Sequence, residues 1–146
     1  VADARLLDRL EGYRRAADVA DEAADNSRAL GDAKASEDVA ASAVVTVGHP
    51  REEGAAAYLA AARHYVTAGR FWDLAGQGPE AWKLRAKAGT ARSLARECAD
   101  RALRGFVSVA KAYADAGDAL QRARALAGAS EAAVLGATVE RPANSD

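Results

Sequence analysis

Four carboxylates, Asp18, Asp21, Glu22 and Asp25, fall within a single short segment. Such a group could attract a hard cation, but calcium sites need a loop that converges 6–8 oxygens on one point. The segment reads as helix, and a straight helix splays these side chains apart, so a solvated acidic face is expected. His49 and His64 are the only histidines. Neither belongs to a Glu-x-x-His or His-Glu-x-x-His pattern, so a helical metal site has no ligand set. Cys98 is the one cysteine. Arg96 and Arg101 would lower the pKa of an exposed thiol there. However, Cys98 falls on an apolar helical spacing, where cysteine behaves as a small hydrophobe. No Cys–His spacing supports nucleophilic catalysis. No paired acid and base and no phosphate loop is present either. The expectation is therefore a non-enzymatic protein with no catalytic residue, no metal ligand and no cofactor.

Binding chemistry has more to draw on. Five of the eight aromatic residues, Tyr58, Tyr65, Phe71, Trp72 and Trp82, lie between positions 58 and 82. Trp and Tyr offer large contact area with a polar tip and are enriched at interfaces. In an alanine-rich chain they are also the best core fillers. The net charge of −1 is unevenly spread. Residues 1–60 carry seven basic and twelve acidic side chains, whereas residues 61–110 carry nine basic and four acidic. Either the two parts neutralise one another or a basic surface meets an acidic partner. Arg85, Arg92, Arg96, Arg104 and Lys111 share one side of a long helix. Glu97 with Arg101 and Asp100 with Arg104 are ordinary i,i+4 pairs there. One basic helix in a chain of this balance disfavours nucleic acid.

Helices must position these groups. Alanine, the best helix former, occurs 41 times, and the only prolines are Pro50, Pro79 and Pro142. A first helix is predicted over 3–30, with Leu6, Leu10, Tyr13, Ala17, Ala20 and Ala24 on one face and Gly31 as its stop. A second is predicted over 36–47, ended by Gly48-His49-Pro50. A third covers 51–68 with Gly69 as its stop, and a short helix follows over 70–75. After a break at 76–79, with Pro79 suited to a helix start, comes the clearest stripe in the chain. It runs through Leu84, Ala88, Ala91, Ala95, Cys98, Ala102, Phe106, Val109 and Tyr113. Gly117-Asp118 ends it. A last helical stretch starts near Ala119, with Gly128 as a candidate interruption. Residues 1–140 form one all-α domain on this reading, and 141–146 a loose tail. No apolar run is long enough for a membrane span. A lone cysteine fits a reducing compartment, so a cytoplasmic location is expected.

The segments ending at Tyr13, Tyr65 and Tyr113 align without gaps, with Ala17, Gly69 and Gly117 four residues on and Ala23, Ala75 and Ala123 ten residues on. This suggests a repeated helical hairpin. The windows Ala62-Arg63-His64-Tyr65-Val66-Thr67-Ala68-Gly69-Arg70-Phe71 and Ala110-Lys111-Ala112-Tyr113-Ala114-Asp115-Ala116-Gly117-Asp118 resemble the hairpin turn of tetratricopeptide and related α-solenoid repeats. Their spacing is near 50 residues rather than 34, and the small residue of the return helix falls one position late. The resemblance implies a scaffold that binds proteins or peptides on a concave face.

The fold expected is all-α, with antiparallel helical hairpins stacked as a short α-solenoid or an irregular bundle. The function expected is binding of a protein or peptide, acidic in character. Its groove would be lined by Tyr58, Tyr65, Trp72 and Trp82, with Arg63, His64, Arg70, Lys83 and Arg85 at the rim. A small-molecule-binding bundle, which needs a closed apolar pocket near the same rings, and a structural or designed protein without a ligand are the alternatives.

Overall fold

Alanine brings almost no surface to a core, so helices built from it must approach closely before they bury enough. The computed structural model, which describes residues 2–42, 52–76 and 81–139, meets that demand with glycines at helix crossings. Its elements are α1 (Ala2–Ser42), α2 (Glu52–Ala75), α3 (Ala81–Asp115) and α4 (Ala119–Val139), and no strand occurs among the described residues.

Each helix packs on its neighbour in sequence, and each pair is antiparallel. Gly105 of α3 lies so close to α2 that an added Cβ would stand 2.9 Å from Cβ of Ala55. At the other end of the same pair, Gly69 faces Ala88, Ala91 and the stem of Arg92. Gly128 of α4 seats the ring of Phe106. Helices two apart in sequence meet chiefly at their flanks. Arg28 of α1 reaches Glu97 of α3 at 3.4 Å, and Arg63 of α2 pairs with Glu131 of α4. The result is a stack of antiparallel hairpins, as expected.

The boundaries depart from the sequence reading in one consistent way. α1 runs unbroken through Gly31 to Ser42, α2 through Gly69 and α4 through Gly128. A glycine inside a helix costs only about 1 kcal/mol relative to alanine, which an alanine-rich segment absorbs. Gly69 and Gly128 are placed for helix–helix contact, so neither is a stop. Gly117 is the exception. Its φ of +76° puts it in the left-handed region. The Asp118 N–H donates to Tyr113 O at 2.9 Å, and the Gly117 N–H to Ala114 O at 3.1 Å. This closes α3 as a Schellman turn. The Asp118 carboxylate then accepts the Gln121 N–H at 3.1 Å and caps α4. Of the three segments ending in Tyr, only the one at Tyr113 therefore opens a turn; Tyr13 and Tyr65 lie within α1 and α2. The expectations for 43–51, for the break at Gln77-Gly78-Pro79 and for the tail at 141–146 fall outside the described residues.

The central core joins all four helices. Tyr58, Leu59 and Tyr65 meet Ala24 of α1, Cys98 and Phe106 of α3, and Ala132 of α4. A second cluster gathers Ala17 and Ala20 around Trp72 and Leu84. Cys98 is buried here, as its spacing suggested. Every member of the α3 stripe from Leu84 to Val109 is buried, and Tyr113 is half-buried.

Candidate functional site

The nine residues expected to form a groove separate into distinct environments. Tyr58, Tyr65 and Trp72 belong to the core; Tyr65 and Trp72 are each only 1% exposed. These three rings therefore line no open groove, which corrects that part of the expectation. The physical reason is volume. Methyl groups cannot fill the space among three helices, and these rings do so together with Leu59.

Their polar tips explain the acidic segment of α1. The Tyr65 hydroxyl donates to Asp25 Oδ1 at 2.6 Å, and the Trp72 indole N–H to Asp21 Oδ2 at 2.7 Å. A buried donor left unpaired would cost about 1–3 kcal/mol, so the two aspartates let the rings go inside. The acidic face is thus partly structural and not only solvated. Lys87 Nζ covers the Trp72 ring from α3 at 4.5 Å from its centroid. Arg101 lies 5.5 Å from the centroid of Tyr58.

Burial pushes the Asp21 carboxyl above its ordinary range. Its hydrogen bond from Trp72 and the charge of Lys87 oppose the rise, while Asp25 and Asp18 add to it. A carboxyl raised in the folded state stabilises fully below its unfolded value, and that contribution is lost as pH rises through the folded value. Asparagine would keep an acceptor for the indole N–H without the buried charge. Asp21→Asn is therefore expected to melt at or above the wild type at neutral pH, with the advantage shrinking on acidification. Melting curves of both proteins across that range check this; a variant disadvantaged at neutral pH and equal in acid contradicts it. Burial likewise raises the Tyr65 hydroxyl, with the hydrogen bond to Asp25 adding to the effect.

The remaining expected residues are exposed. Arg63 is taken up by Glu131 on the α4 side. His64 and Arg70 stand on the outer surface of α2. Trp82, Lys83 and Arg85 stay together on the first turns of α3. Trp82 is 66% exposed, with Lys83 Nζ 5.4 Å from its ring centroid. Arg85 lies against Gly76, where α2 has just ended. The antiparallel order brings the start of α1, the end of α2 and the start of α3 to one end of the stack. Leu6, Leu7 and Leu74 are exposed on those same terminal turns. This end therefore combines unburied apolar side chains with the basic Lys83 and Arg85.

A second feature lies outside the residues singled out in the sequence. Glu52 and Leu59 of α2, Phe106 of α3, and Arg124, Gly128 and Glu131 of α4 line an open cleft of about 380 Å³. Gly128 was its signal in the sequence, read there as an interruption. A Cβ at that position would come within 2.8 Å of the Phe106 ring. The cleft has an apolar floor and a mixed-charge rim. Among the described residues, no group of His, Cys, Asp and Glu could hold a metal ion, and no helix is long and apolar enough to cross a membrane. Comparison of the chain with protein-family models, with curated proteins and with solved structures finds no match.

Proposed function

We propose that this chain is a non-enzymatic helical scaffold that binds a partner protein or peptide at the end of the stack where α2 finishes and α3 begins. The observation that carries this reading is Trp82. A tryptophan two-thirds exposed leaves a large apolar area in water, and tryptophan is among the residues most often found to anchor an interface. Leu74, on the last turn of α2, is a second exposed apolar side chain at this end. Lys83 and Arg85 supply positive charge beside the anchor, which favours a partner presenting an apolar side chain flanked by carboxylates. Such charges raise the association rate more than the final affinity.

Selection of a displayed random peptide library on the purified protein tests the reading. Peptides that pair an aromatic or aliphatic residue with acidic neighbours are expected to be enriched. Their affinity should fall by about 2 kcal/mol or more with Trp82→Ala, while the melting temperature stays unchanged. Lys83→Glu with Arg85→Glu should slow association more than it speeds dissociation. Enriched peptides indifferent to Trp82→Ala overturn this site.

A further inference from the structure

α4 has one side on α3 and the opposite side in water. Ala125, Ala129, Ala132 and Val139 are buried. Opposite them, Leu120, Leu126 and Val134 are exposed, with Leu120 at 72% and Val134 at 64%. The positions between them on that outward side are Ala123, Ala127, Ser130, Ala133 and Ala137, all exposed. No charged residue stands on this face. Arg122, Arg124 and Glu131, the charged residues of α4, lie on its flanks. The outward face of α1 is different. Asp8, Glu11, Arg15, Asp18 and Glu22 surround Val19 there, and all are exposed. α1 thus has a polar outward face and α4 does not. A helix apolar on opposite sides is ordinarily covered on both.

We propose that the outward face of α4 is a homodimer interface, in which two copies of this chain pair antiparallel about a two-fold axis through Ser130. The sequence of the face names the occupant. Counted outward from Ser130 in both directions, Ala127 answers Ala133, Leu126 answers Val134, and Ala123 answers Ala137. An isologous pair needs a surface complementary to itself, and this order provides one. Each Leu126 meets the Val134 of the other copy, and alanines oppose alanines. The small residues nearest the axis let the helices approach to about 8 Å. Charge does not oppose the pairing. Arg122 is matched by Thr138, and Glu131 is turned to Arg63 of its own chain. The face is one helix of 21 residues, about 31 Å long at 1.5 Å per residue. That is smaller than a standard interface of about 800 Å² per partner, so the dimer is a reversible one. The proposal is independent of the Trp82 site, which lies on the first turn of α3.

Sedimentation equilibrium from micromolar to millimolar concentration tests it. The wild type should pass from monomer to dimer. Val134→Glu places a charge on the face without touching the core, and should weaken dimerisation by at least about tenfold, or 1.4 kcal/mol, with the low-concentration melting temperature unchanged. Ser130→Cys tests the register. Two such cysteines meet on the axis and should form a dimer-linking disulfide on oxidation, whereas Ser108→Cys, exposed on α3, should not. Cys98 is buried and does not compete. A wild type that remains monomeric throughout overturns the proposal. A dimer that survives Val134→Glu, or that fails to cross-link through Ser130→Cys, overturns it equally.

Discussion

Replacing Trp72 by alanine is expected to destabilise the fold by about 3–5 kcal/mol, the range for removing a large aromatic ring from a core. The ring is 1% exposed and holds together Ala17 and Ala20 of α1, Ala68 and Ala75 of α2, and Leu84, Ala88 and Ala91 of α3. Apart from Leu84, these buried neighbours are alanines, which cannot reach into the space the ring would vacate. Two further interactions go with it, the indole N–H to Asp21 and the Lys87 ammonium over the ring face. The first ties α2 to α1 and the second ties it to α3, so the loss should loosen the docking of both neighbours. Trp72→Phe separates the contributions. It retains most of the apolar volume and removes the N–H, and should cost less than the alanine variant. Trp82→Ala is the internal comparison: its ring is largely in water, and surface changes of that kind usually stay within about 0.5 kcal/mol. Urea unfolding of the three variants gives the order directly. Hydrogen exchange in α1 should quicken for Trp72→Ala and stay unchanged for Trp82→Ala. Equal costs for the Trp72 and Trp82 alanine variants would remove the distinction between core ring and binding ring.

That distinction marks the limit of what the sequence makes legible. Trp72 and Trp82 lie ten residues apart in the same aromatic-rich segment, and nothing local tells them apart. What separates them is Asp21, on another helix, which supplies an acceptor for one indole. Tyr65 goes inside for the same kind of reason, through Asp25. The stripe on α3 was legible because it is a property of one helix. Its spacing follows the helical period, and the residues from Leu84 to Val109 are buried as that spacing requires. The all-α class was legible from abundant alanine and scarce proline. Glycine was not. Gly117 and Gly69 stand at the same distance after a tyrosine, and a stop was expected at both. At Gly117 the backbone turns left-handed and the helix ends. At Gly69 the backbone continues as helix and lies against Ala88, Ala91 and Arg92 of α3. The difference lies in the partner helix, which a reading of one segment does not contain.

Gly105→Leu should expose that second use of glycine. Overpacking of a close helix crossing costs about 1–3 kcal/mol. Even the first added atom, Cβ, would stand 2.9 Å from Cβ of Ala55 and 3.5 Å from its Cα. The obstacle is an alanine and its backbone, which has no rotamer to give, so α2 and α3 must move apart at this crossing. Local propensity points the other way, because leucine is a better helix former than glycine by close to about 1 kcal/mol. The net sign therefore decides whether packing or propensity governs the position. Gly12→Ala is the matching control. Gly12 is exposed within α1, and a Cβ there would meet nothing within 4 Å. That substitution should stabilise by about 0.8–1.0 kcal/mol. Opposite signs for the two variants in urea unfolding are the expected result. Stabilisation by both would mean that α2 and α3 do not approach at Gly105 as described.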